Sequence, residues 1–169
     1  LLQDSLDYRA LTGLVKAYKH KGNNHSASIY RRKVVESSYI EGLEALQAGL
    51  YPQAQKHFET ALGVVPDYSL ALNRLGDIQL ALGDSSAALK LYRRSIESDP
   101  HFAATHNTLG ELLLALGQLA QAQAAFDQAI DLDINHIDAY LGLGRLYELQ
   151  KKWNKSAAQY KTALLIDPE

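Results

Sequence analysis

"LNRLGDIQLALGDSSAALKLYRRSIESDP", residues 72–100, is followed 34 residues later by "HNTLGELLLALGQLAQAQAAFDQAIDLDI", residues 106–134. The two stretches keep the places of their glycines, alanines, leucines and aromatics while the polar residues drift. Two more stretches, 38–66 and 140–168, align with them without gaps. Glycine recurs at Gly42, Gly76, Gly110 and Gly144, and a small residue at Ala54, Ala88, Ala122 and Ser156. An aromatic follows four residues on, at Phe58, Tyr92, Phe126 and Tyr160, and then Ala61, Ser95, Ala129 and Ala163. Pro66, Pro100 and Pro168 close three units, with Ile134 in the place of the fourth. A fixed period of this length is the signature of stacked structural repeats, and the chain of 169 residues is one short of five such units.

Each unit reads as two helices. In the first, the earlier helix is expected over about 36–48, ending at Gly49, where a left-handed cap suits a residue without Cβ. Gly83 and Gly117 repeat that cap, and Lys151 breaks it, at about 1 kcal/mol if its backbone is left-handed. Pro52 suits the first helical position, Asp84 is a credible N-cap, and Pro66 and Pro100 stop their helices. Small residues let antiparallel helices approach, and the aromatic one turn later fills the groove beside them. A large side chain at Gly110 or Ala122 should therefore overpack the contact.

The pattern resembles the tetratricopeptide repeat family. The resemblance covers 35–168 and rests on the 34-residue period, the Leu-Gly pairs at 75–76, 109–110 and 143–144, the small-x3-aromatic spacing and the closing Asp-Pro. It implies an all-α fold, an α-solenoid in which antiparallel helix pairs wind into a right-handed superhelix with the first helices lining its concave face. The four repeats are 35–68, 69–102, 103–136 and 137–169, following a divergent repeat at 1–34 in one continuous solenoid. The first departs from the pattern, with Glu41 where Leu is usual and Ser38 where a large aromatic is usual. At the N-terminal end, Leu14, Tyr18, Gly22 and Ala27 reproduce the family spacing, yet Gly22 and Gly49 are seven residues closer than one period. Two readings are open: Ser38 with Glu41 forms a capping box and starts a fresh helix, or one helix runs through about 26–48.

Composition narrows the function. Hydrophobic content of 47% with 21% charged residues belongs to a folded chain, and no apolar run reaches membrane-spanning length. Absence of cysteine excludes disulfides, thiolate nucleophiles and sulfur-ligated metals. The compartment expected is the cytoplasm, with the periplasm as the alternative if a targeting segment has been removed. Residues 1–40 carry a balance of +4 and residues 41–169 one of −6, and the acidic body disfavours nucleic acid. His101, His106 and His136, with Asp133 and Asp138, form a loose cluster that reads as exposed turn residues, so no metal is expected. "GLGR" at 142–145 lies in an expected helix and follows no strand, so it carries no cofactor. Asn24 and Asn154 begin sequons that matter only in a secreted eukaryotic protein. No catalytic site is expected.

The family geometry assigns groove positions instead. It gives Tyr39, Leu43 and Leu46 in the first repeat, Asn73, Asp77 and Leu80 in the second, and Asn107, Glu111 and Leu114 in the third. Leu141 and Arg145 follow in the fourth, flanked by Asp138 and Glu148. Asn73 and Asn107 could pair with a peptide backbone, while Asp77 and Glu111 favour a basic side chain beside an apolar anchor. The carboxylate clamp of chaperone-binding members needs Lys, Asn and Arg where this chain has Tyr39, Leu43, Arg74, Ala104 and Thr108. The same test one repeat on meets Asn73, Asp77, Thr108, Asp138 and Gly142, so chaperone tails are not expected to bind that way. The reading is a non-catalytic scaffold for an extended peptide or a helix. Its alternatives are a self-associating array, through the last helix with Ala157, Tyr160, Leu164 and Leu165, and the substrate-recognition arm of a larger enzyme.

Overall fold

The computed structural model describes residues 7–167, so Pro168 lies outside the described residues. Among these there are nine helices and no strand: α1 (Tyr8–His20), α2 (Asn24–Gln47), α3 (Tyr51–Val64), α4 (Ser69–Ala81), α5 (Ser85–Ser98), α6 (Ala103–Ala115), α7 (Leu119–Leu132), α8 (Ile137–Leu149) and α9 (Trp153–Ile166). None of them is long and apolar enough to cross a membrane.

The hairpin turns are set locally. Gly22, Gly49, Gly83 and Gly117 all have φ between 71° and 87°, and the amide after each donates to a carbonyl five residues back, as Leu50 N to Ala45 O at 2.9 Å. Lys151 takes the same backbone, φ 57°, without the glycine that would relieve it, and Lys152 N still reaches Tyr147 O at 2.8 Å. Side chains cap the starts of α1, α2 and α5: Asp7 accepts from Arg9 N and Ala10 N, Asn23 from Ser26 N, and Asp84 from Ala87 N. Pro52 stands one residue inside α3 rather than at its first position, because Tyr51 is already helical. α3 and α5 end at extended Val65 and Asp99, the residues that Pro66 and Pro100 force out of helical geometry. α7 stops at an equally extended Asp133 with Ile134 following, so proline enforces a boundary that the turn can make without it.

The choice at 26–48 falls to one helix. α2 is continuous from Asn24 through Gln47, which replaces both the start expected near 36 and the capping box at Ser38 and Glu41. Nothing between Ser26 and Ile40 breaks a helix, and Asn23 caps its start. α2 packs against both α1 and α3, so one helix serves two hairpins and absorbs the missing two turns. Ser38 is fully buried, and Tyr8 of α1 sits over Ser38 and Glu41. His57 Nδ1 of α3 lies 3.1 Å from Glu41 Oε2, and the His57 ring meets Tyr8 edge-on at 6.4 Å. The two departures from the family pattern thus make room for α1 and give it polar neighbours.

The chain divides into two compact units, one running to Ile78 and one from Gln79. In the first, α1 packs on α2 and α2 on α3, with Val34, Ala54, Phe58 and Ala61 fully buried. In the second, α5 packs on α6, α6 on α7, α7 on α8 and α8 on α9. Its core joins Leu113, Ala122, Phe126, Ala129, Ala139, Leu143 and Leu146.

The glycines have a sharper task than close backbone approach. A Cβ at Gly110 would lie 2.7 Å from the Phe126 ring, and one at Gly142 would lie 2.4 Å from the same ring. Phe126 is therefore held between α6 of its own hairpin and α8 of the next. Gly144 meets Tyr160 at 2.4 Å and Gly42 meets Phe58 at 2.5 Å in the same way. The "GLGR" glycines are two seats for two aromatic rings.

Candidate functional site

α6 and α8 lie side by side in the second unit, and their facing side chains line two adjoining hollows. The first, about 520 Å³, is lined by Asn107 and Glu111 of α6, Asp138, Leu141 and Arg145 of α8, and Tyr160 of α9. The second, about 540 Å³, is lined by Glu111, Leu114 and Ala115 of α6 and by Arg145, Glu148 and Leu149 of α8. These residues recur at helical spacing, i, i+4 and i+7 or i+8 along α6, so one face of one helix supplies them.

Glu111 and Arg145 belong to both hollows, and Arg145 Nη2 donates to Glu111 Oε1 across a sequence separation of one full repeat. Burial pushes the Glu111 carboxyl above its ordinary value, Arg145 draws it back, and Asp138 adds to the rise. With Asp138 and Glu148 beside them, the walls carry three carboxylates against one guanidinium. Asn107 is only 7% exposed and its Oδ1 has no hydrogen-bond partner, an arrangement that costs about 1–3 kcal/mol unless a donor arrives. Burial raises the Tyr160 phenol, and Glu148 adds to the rise.

The other groove positions lie elsewhere. Tyr39 is packed among aromatics, 5.7 Å from Phe58 and 5.6 Å from Tyr68 between ring centroids. Leu43 and Leu46 are half-buried along α2. Asp77 accepts from Arg74 Nη1 at 2.7 Å, one turn away on α4. Asn73 is buried in α4, and Leu80 is exposed near its end. Leu114 both lines the second hollow and packs against the core, so packing and groove share that leucine.

Sequence reasoning missed Tyr160, Ala115 and Leu149 as wall residues. Leu149 had a signal, since it follows Arg145 by four residues and so shares its face. Tyr160 had a weaker one, a hydroxyl in a column where Phe58 and Phe126 need none. His106 is corrected outright: it is a buried residue of α6, 9% exposed, with Nε2 2.9 Å from Pro100 O, and so ties the helix to the turn before it. Among the described residues, no three His, Asp or Glu side chains gather to hold a metal.

Antiparallel helix pairs, left-handed turns and aromatic rings seated on glycines define an all-α, solenoid-forming hairpin repeat. The chain belongs to the tetratricopeptide repeat family: a family model of that description matches residues 39–101 and 107–169, and a second matches 79–133. Curated proteins give no match. Among solved structures the chain is similar to MamA, at 21% identity and a TM-score of 0.71 over 92% of this chain and 95% of that one. It is also similar to pilF of Pseudomonas aeruginosa, at 21% identity and 0.77 over 82% of this chain and 63% of that one. A third is YrrB, described as a TPR protein with an unusual peptide-binding site, at 20% identity and 0.67 over 98% and 88%. At such identities the likeness is one of fold.

Proposed function

We propose that the chain is a non-catalytic scaffold that binds a segment of another protein along α6 and α8 of its second unit. The observation that carries this is the pair of adjoining hollows on α6 and α8, where the Asn107 residue and three carboxylates stand beside an apolar chamber. The likeness to YrrB adds an example of the same fold carrying a peptide site. Panning a displayed random-peptide library on the immobilised protein, followed by titration of the selected peptides, tests it. Asn107→Ala is expected to weaken binding up to about tenfold with helicity unchanged, as for loss of one amide contact at the hollow's wall. Leu141→Arg should abolish binding by blocking the first hollow. Affinities unmoved by both variants reject the groove.

A second reading, self-association, is favoured by α9, where Trp153, Leu164 and Leu165 are 64%, 61% and 83% exposed. Sedimentation equilibrium decides it: mass that rises with concentration supports self-association, and a monomer at every concentration disposes of it.

A further inference from the structure

The two hollows differ in chemistry, and one ion pair is their common wall. Asn107, Asp138 and Tyr160 make the first polar and acidic. Leu114, Ala115 and Leu149 make the second apolar, with Glu148 at its rim. On α6 the first is spanned by Asn107 and Glu111 and the second by Glu111 and Ala115, so their centres stand four residues apart. At about 1.5 Å per residue that is roughly 6 Å along the helix. In an extended chain, side chains two residues apart point the same way and are separated by about 6.6 Å. In a helix, by contrast, that distance falls between residues four apart.

We propose that the groove selects an extended peptide in which a Lys or Arg and a large apolar residue stand two positions apart, the cation entering the hollow of Asp138 and Glu111 and the apolar side chain entering the hollow of Leu114 and Leu149. This rests on the groove binding proposed above and specifies its ligand. The net negative wall draws the cation and repels an acidic segment. The Glu111–Arg145 pair between the hollows acts as a spacer, because no side chain can settle at that level without breaking it. The peptide backbone crosses above the pair, beside Asn107. A helical ligand would carry the same pair four positions apart instead of two, and an acidic one fails on charge.

The test uses the whole 169-residue chain and the displayed random-peptide library as probe. Selected sequences are expected to be enriched in Lys or Arg two positions from Leu, Ile, Phe or Val, in either order along the peptide. Against such peptides Asp138→Asn should lower affinity about threefold, as for one partly exposed charge pair. Leu149→Asp should lower it about tenfold, as for loss of an apolar contact. Repeating the selection on Asp138→Lys/Glu148→Lys should turn the cationic preference into an anionic one. Peptides that lose binding in Leu141→Arg yet carry no basic residue, or carry it at another spacing, overturn this inference and leave groove binding standing. Peptides indifferent to Leu141→Arg, or no enrichment at all, overturn both.

Discussion

A single backbone angle separates Lys151 from Gly49, Gly83 and Gly117 in kind rather than in shape. All four have left-handed φ, but Lys151 carries a Cβ that crowds its own carbonyl, at about 1–2 kcal/mol. Glycine would relieve that crowding and give part of it back in chain entropy. Lys151→Gly is expected to stabilise the protein by about 0.5–1 kcal/mol, read as a higher urea midpoint at unchanged slope. The seated rings give the opposite case. Gly110→Val drives two methyls into a ring that Gly142 holds from the other side, so Phe126 has nowhere to move. A loss of about 1–3 kcal/mol is expected, and a thermal melt unchanged within error would show that the ring has room.

Elements add terms that no residue carries alone. Because α2 serves two hairpins, its middle supports both. Ser38→Pro removes a backbone hydrogen bond and wedges a ring into the preceding turn, at about 3 kcal/mol or more. A loss below about 1 kcal/mol in urea unfolding would mean that two helices abut near Ser38. The docking of α1 has a titration signature as well. Burial first, and then the Glu41 carboxylate, push the Tyr8 phenol from 10.0 up to about 12. The folded state therefore holds that proton more tightly than the unfolded chain. Its contribution to stability is complete below pH 10 and is lost as pH rises through 10 to 12. Tyr8→Phe should remove a late step from the phenolate absorbance titration and make unfolding less steep in that window. A titration with the late step intact would place it on another tyrosine.

At the scale of the whole molecule, charge decides what the second unit attracts. Burial raises the Glu111 carboxyl above its ordinary 4.5, so at acid pH the native state keeps this proton longer than the unfolded chain does. A cationic peptide gains attraction as that proton leaves. Its affinity should climb as pH rises through 4.5 and the range just above it, with proton release measurable by calorimetry in buffers of different ionisation enthalpy. An affinity flat across that range would mean that the ligand's cation does not face Glu111. Added salt should weaken the same peptide modestly, since these walls are only partly desolvated.

Most of the architecture could be read without coordinates, because its causes are local. A left-handed turn, a capping aspartate, a proline's clash and a helical face are settled within a few residues of chain, and a 34-residue period repeats them. The Tyr8 contacts and the continuity of α2 were harder to foresee, because Ser38 and Glu41 satisfy two local rules and only the packing of α1 chooses between them. Hardest was the groove. Asn107, Glu111 and Arg145 each stood at a foreseeable position, yet their pairing depends on how α6 and α8 settle against Phe126. A ring held between Gly110 and Gly142 sets that spacing, and with it the ion pair one repeat apart, the unmatched amide and the two chambers of unlike chemistry. Short-range sterics are written along the chain, whereas the meeting of distant polar groups follows from how close two helices can come.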